Sequence, residues 1–139
     1  MPNTNSNNIS AYRIDSSSGD LTEVAGSPFP GGTNPYDVAL DPKGRFAFVA
    51  DAGGNSVSVY TIGSSSGALT QVPGSPFAVG SSPQALAVGL LGTYLYVANF
   101  NSNDVSVFRI DRHNGALRTV LGSPFAAGTN PKGIAVGRL

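Results

Sequence analysis

Gly26-Ser27-Pro28-Phe29 recurs as Gly74-Ser75-Pro76-Phe77 and again as Gly122-Ser123-Pro124-Phe125, with a spacing of 48 residues both times. Self-similarity at a fixed period decides the architecture before any single element is read, because each repeat must then be one supersecondary unit. The same offset links Ile14 to Ile62 and Ile110, Gly19 to Gly67 and Gly115, Leu21 to Leu69 and Leu117, Val24 to Val72 and Val120, and Pro35 to Pro83 and Pro131. No insertion or deletion interrupts it, so the 139 residues amount to three periods less five residues, one array without a linker. The frame of the repeat divides it into a partial unit over 1–35, complete units over 36–83 and 84–131, and the first strand of a further unit over 132–139.

Four strands fit one period. The first spans Tyr36 to Leu40, with copies at Gln84 to Val88 and Lys132 to Val136, and is apolar at consecutive positions, as a strand buried on both faces should be. The second is Phe46-Ala47-Phe48-Val49-Ala50, matched by Tyr94-Leu95-Tyr96-Val97-Ala98, after a tight turn at Asp41-Pro42-Lys43-Gly44. The third runs from Val57 to Ile62, with copies at Ile9 to Ile14 and Val105 to Ile110, and alternates with small Ser residues. The fourth covers Leu69 to Val72 and the Ser-Pro-Phe segment, after a hairpin loop ending in Gly67, where positive φ is cheap. Its Pro cannot donate to a ladder, which puts this strand at an outer edge. Four antiparallel strands in a repeat of 40 to 50 residues is the pattern of a β-propeller blade, so the expected fold class is all-β. A β-sandwich is the rival all-β reading, but it does not predict three copies in register.

Composition narrows the function classes. Eight Lys+Arg balance eight Asp+Glu, and charged residues are only 12% of the chain. Without concentrated positive charge, neither nucleic acid nor an anionic membrane is an expected partner. The absence of Cys removes disulfides, thiolate catalysis and Cys-ligated zinc. The first eight residues, Met-Pro-Asn-Thr-Asn-Ser-Asn-Asn, lack the apolar run of a signal peptide, and the stretch from Ala85 to Ala98 is broken by Gly89, Gly92 and Thr93. A soluble chain without a leader is expected.

The words Phe48-Val49-Ala50-Asp51 and Tyr96-Val97-Ala98-Asn99 are followed by Asn55-Ser56-Val57-Ser58-Val59-Tyr60 and Asn103-Asp104-Val105-Ser106-Val107-Phe108. Together with Gly67-Ala68-Leu69-Thr70 and Gly-Ser-Pro-Phe, they resemble the YVTN-type repeat of the lactonase-like propellers, which include bacterial 6-phosphogluconolactonase-like proteins. The resemblance covers the whole chain. It implies a propeller fold and admits several functions, since the family holds lactone hydrolases and surface-layer and adhesive proteins, and fold does not fix function. Family enzymes resemble seven-bladed rings, whereas three repeats leave two blade faces open. The chain must therefore either associate or be a fragment, and the expected assembly is a homodimer, two copies joined tail to head in a six-bladed ring, with other oligomers or an incomplete ring as the alternatives. Met1 aligns with Val49 and Val97, and the five residues short of three periods correspond to Gly92 to Tyr96. The junction blade would then need the Asn-rich N-terminus to replace most of a second strand.

Loops from fourth to first strand and from second to third fall on one face of a propeller, the usual ligand face. There the sequence gathers Asn34, Tyr36, Asp37, Asp51, Gln84, Asn99, Asn130 and Lys132 as candidate ligand-binding residues, with Asn55, Asn101, Asn103 and Asp104 beside them. The positions that change between repeats stand out, because a purely structural role should recur: Tyr36-Asp37 becomes Gln84-Ala85 and then Lys132-Gly133. Asp37 and Lys132 together would polarise a lactone carbonyl and activate water; the bland reading makes them solvated strand starts. Asp51 and Asn99 are expected to accept from backbone N–H groups two residues on. Asp37, Asp51 and Asp104 are too few carboxylates for a calcium cage, and no metal or cofactor is expected. His113 sits at a hairpin tip on the opposite face, away from any serine nucleophile. Tyr12, Tyr60 and Phe108, like Phe29, Phe77 and Phe125, recur at the repeat spacing and read as inter-blade core. The favoured function is a self-assembling structural or binding scaffold without catalysis, with lactone hydrolysis and extracellular adhesion as the alternatives.

Overall fold

The computed structural model describes residues 1–137, in which the only helical element is a three-residue 3-10 turn at Thr4–Ser6. The partial unit holds β1 (Pro2–Asn3), β2 (Asn8–Ile9), β3 (Tyr12–Ile14), β4 (Leu21–Glu23) and β5 (Phe29–Pro30). The middle unit holds β6 (Pro35–Leu40), β7 (Phe46–Asp51), β8 (Ser56–Ile62), β9 (Leu69–Gln71) and β10 (Phe77–Ala78). The third holds β11 (Pro83–Val88), β12 (Tyr94–Asn99), β13 (Asp104–Ile110), β14 (Leu117–Thr119) and β15 (Phe125–Ala126). In each complete unit the three long strands ladder antiparallel in chain order, and both halves of the fourth strand pair with the third. The two blades are copies in register: Phe48 faces Val59 in one as Tyr96 faces Val107 in the other.

The fourth strand is cut in two where Gly74 takes φ +84° and Pro76 has no N–H to give. The amide left over on the third strand is met by a side chain. Ser75 Oγ accepts from the Val59 N–H at 2.9 Å, and its copies Ser27 and Ser123 accept from Ala11 at 3.1 Å and Val107 at 2.8 Å. The recurring Ser of Gly-Ser-Pro-Phe thus stands in for a ladder carbonyl, because a buried amide without a partner is costly.

The core lies between blades. Phe46, Phe48, Val57, Val59 and Val72 of the middle blade meet Leu86, Leu95, Val97, Phe108, Ile110 and Leu117 of the third. Between the partial unit and the middle blade lie Ile9, Ala47, Val49 and Tyr60. All six residues of β7 are therefore buried, and the first five read as a continuous apolar run. Each fully buried large side chain contributes about 1.5–3 kcal/mol, so most of the stabilisation resides in the faces that blades present to one another.

Three expectations are corrected. The third-strand copy at Ile9 to Ile14 is broken between Ile9 and Tyr12, because its second-strand neighbour ends at Met1, whose N–H and carbonyl bond Ser10 at 2.6 and 2.9 Å. The Asn-rich N-terminus supplies the last residues of a second strand: Pro2 and Asn3 pair with Ile9 and Asn8 as Ala50 and Asp51 pair with Val57 and Ser56, and the 3-10 segment takes the place of the turn that follows. Lys132 to Val136 forms no strand, having no second strand to ladder with, and residues 138–139 of the expected segment 132–139 lie outside the described residues. Tyr12 is 39% exposed and Phe125 47%, unlike the buried Tyr60 and Phe108, since no blade covers their faces.

Candidate functional site

The inter-blade loops and the second-to-third-strand loops meet on one face, as the repeat predicts. Asn55, at φ +51°, points its Oδ1 at the Ser82 N–H at 2.8 Å, while Ala52 and Gly53 donate to Asn34 and Thr33 carbonyls. The same clasp recurs with Asn7 on the Asn34 N–H at 2.8 Å and Asn103 on the Asn130 N–H at 2.7 Å. Asn tolerates the left-handed conformation that aims its amide across the gap, which explains its recurrence in these loops.

Beneath the clasp lies a buried polar seal. Asp51 and Asn99 are fully buried at the ends of β7 and β12, and they do not bond backbone groups two residues on, as the sequence reading expected. Their partners lie across the ladder. Ser58 and Ser56 donate to Asp51 Oδ2 at 2.6 and 3.3 Å, and Asn99 Nδ2 donates to Asp104 Oδ1 at 2.6 Å and Ser106 Oγ at 2.8 Å. Asn3 repeats the pattern, donating to Asn8 Oδ1 at 2.7 Å and Ser10 Oγ at 2.9 Å. The preceding inter-blade loop closes the seal with glycine: a Cβ on Gly32 would stand 2.1 Å from Asp51 Cγ, and one on Gly80 would stand 2.7 Å from Asn99 Cγ. Among the described residues, Asp51 Oδ1 and Asn99 Oδ1 find no hydrogen-bond partner. Burial pushes the Asp51 carboxyl above its ordinary range against the pull of the two serine hydroxyls and of the Gly32 and Ser58 amides. The sequence did carry a signal for this seal, since Asn3, Asp51 and Asn99, Ser10, Ser58 and Ser106, and Gly32 and Gly80 all recur at the period. Recurrence alone does not show that these residues are buried together.

The remaining candidates separate into engaged and open groups. Asp37 Oδ1 accepts from the Val38 N–H and Oδ2 from the Leu86 N–H, both at 2.8 Å, so its carboxylate staples the first strands of two adjacent blades. Lys132 Nζ rests 5.3 Å from the centre of the Phe100 ring, a cation–π contact. Asn130 Nδ2 donates to the Phe100 carbonyl at 3.0 Å, and Asn34 and Tyr36 are exposed, Gln84 half-buried. His113 lies at the β13–β14 hairpin tip beside Arg109, Arg112 and Arg118, away from the loop face. Among the described residues no three His, Asp or Glu side chains converge as a metal site, and no helix is long and apolar enough to cross a membrane.

With this geometry in hand, comparison with known proteins is direct. The family model described as "Lactonase, 7-bladed beta-propeller" matches residues 25–130. No curated protein matches the chain. A candidate 6-phosphogluconolactonase from Bacteroides fragilis superposes with a TM-score of 0.79 at 20% identity, over 94% of this chain and 36% of its own. A functionally unknown protein from Desulfotomaculum acetoxidans gives 0.74 at 28% identity, over 84% and 35%. The periplasmic gluconolactonase of Pseudomonas aeruginosa gives 0.72 at 24% identity, over 89% and 35%. The chain therefore spans about a third of the length of these structures. Repeat, blade topology and family model agree, and the chain belongs to the lactonase family of seven-bladed β-propellers.

Proposed function

We propose that this chain is a self-assembling propeller segment that serves as a structural and binding scaffold and does not hydrolyse lactones. The observation that carries this reading is the state of the loop-face carboxylates. Asp37 is held by two backbone amides, Asp51 is buried under two serine hydroxyls, and Asp104 accepts from Asn99. A general base must reach the proton it removes, and each of these groups is turned to holding strands or blades together. Asn34, Tyr36, Gln84, Asn130 and Lys132 remain to line a polar surface with donors and acceptors suited to a hydroxyl-rich ligand.

Lactone hydrolysis is the second reading, and family membership favours it. The two separate in one experiment: the chain is titrated with a sugar δ-lactone and the matching sugar acid by calorimetry, while hydrolysis is followed in a pH-stat. Saturable binding with hydrolysis at the spontaneous rate is expected. A rate above background that disappears in Asp37→Asn would establish the enzyme and overturn the scaffold reading.

A further inference from the structure

We propose that the open face of the third blade docks a second copy of this chain, in the register of the two blade interfaces already inside it, so that Gly128 of one copy closes over Asn3 of the other. This inference rests on the reading of the chain as an assembling scaffold.

The internal interfaces define what a further one must contain. At both, a loop glycine presses on a buried polar residue, Gly32 on Asp51 and Gly80 on Asn99, whereas a Cβ on their copy Gly128 would meet nothing within 4 Å. At both, a hairpin glycine packs on the preceding unit: a Cβ on Gly67 would lie 3.2 Å from Val24, and one on Gly115 would lie 2.8 Å from Phe46. Their copy Gly19 meets nothing within 4 Å. Tyr60 donates its hydroxyl to the Pro30 carbonyl of the preceding unit at 3.0 Å. Its copy Tyr12 is exposed, and the copy of Pro30 in the third blade is Ala126. Arg13 donates to the Ser65 carbonyl of the following blade, while its copy Arg109 is exposed and the copy of Ser65 is the exposed Ser17.

Every unmatched half thus sits at one end of the array and its complement at the other. Gly128, Ala126 and Arg109 lie on the third unit, and Asn3, Tyr12, Ser17 and Gly19 on the first. The apolar surfaces match in the same way. Tyr94 and Tyr96 are the copies of Phe46 and Phe48, and the exposed Ile14 and Leu21 are the copies of the buried Ile110 and Leu117. Because all the offsets equal the repeat, one rigid placement satisfies every pair together. An unrelated partner has no reason to carry this set, and a second copy must. Two such head-to-tail junctions would cover both open faces in a ring of six units.

Light scattering on a sizing column tests the proposal, with the chain itself, Gly128→Leu and Leu121→Ser. Gly128 has no positive φ and open space around it, so leucine fits the single chain, and circular dichroism checks that it folds. A mass of twice 14.1 kDa is expected for the unaltered chain. Gly128→Leu should weaken association at least a hundredfold, and Leu121→Ser, at a side chain 98% exposed on the rim, should leave it unchanged. A monomer at every concentration would assign these faces to another partner and overturn both the interface and the assembling scaffold. A stable oligomer indifferent to Gly128→Leu would leave assembly standing and overturn the registered interface.

Discussion

Replacing Asp51 by Asn should stabilise the protein at neutral pH, an unusual outcome for a fully buried polar residue. Among the described residues, Asp51 is sealed under Gly32 with Oδ1 unpartnered, and its side-chain donors are the Ser58 and Ser56 hydroxyls. A buried acceptor left unsatisfied costs about 1–3 kcal/mol, and more when it is charged. Asn at this position is already built into the third blade, where Asn99 donates to a serine and an aspartate in the same places. Asp51→Asn should therefore gain about 1–2 kcal/mol by removing the buried charge while keeping both serine contacts. At about 2–4 °C per kcal/mol, the melting temperature should rise by about 2–8 °C. The pH dependence identifies the cause. Because burial raises the carboxyl pKa above the ordinary value of 3.8, the folded state holds this proton more tightly than the unfolded chain does. The stability it contributes is complete below that value and is lost as pH rises through the raised one. Thermal melts of the two proteins from pH 3.5 to 8 should show a gap that is small in acid and widens to a plateau. A constant gap, or a variant less stable than its parent at pH 7, would refute the account of Asp51 as a desolvated carboxylate.

Two further substitutions probe the joints between blades. Asp37→Ala removes the acceptor of the Val38 and Leu86 amides and should cost about 1–2 kcal/mol in urea unfolding; unchanged stability would free Asp37 for chemistry. Tyr60→Phe deletes the hydroxyl that reaches the Pro30 carbonyl and should cost about 0.5–1.5 kcal/mol with the fold intact, since Phe108 fills the equivalent place. A loss well beyond that range would mean that the ring itself, and not its hydroxyl, is disturbed.

The repeat was legible because its signals are local and periodic. The Asp41 to Gly44 turn, the Gly67 hairpin and the long second and third strands sit where apolar runs and turn residues place them, with Gly44 at φ +65° and Gly67 at φ +74°. What the sequence hid depends on contacts between units. The break at Ser10 and Ala11 and the strandless Lys132 to Val136 follow from which neighbour is there to pair, and a periodic pattern says nothing of that. On the loop face, the recurring Asn residues were visible as letters. Their aim, across the gap onto the backbone of the next loop, follows from a left-handed φ that the letters only permit. Asp37 stood out because it does not recur, yet its carboxylate joins Leu86, 49 positions along the chain, for which no local signal exists.

The glycine seal also bears on how such a protein can lengthen or be rearranged. Gly32 and Gly80 each serve the blade that follows their loop, so the heritable module straddles two blades and coincides with neither. Copying or deleting whole periods of a gene keeps every glycine with its polar client wherever the cut falls, and so does moving the start codon around a closed ring. A single-codon insertion between the two members would separate them. Arrays built on this seal can grow by recombination between similar repeats while resisting small drifts in length, in keeping with three units in strict phase.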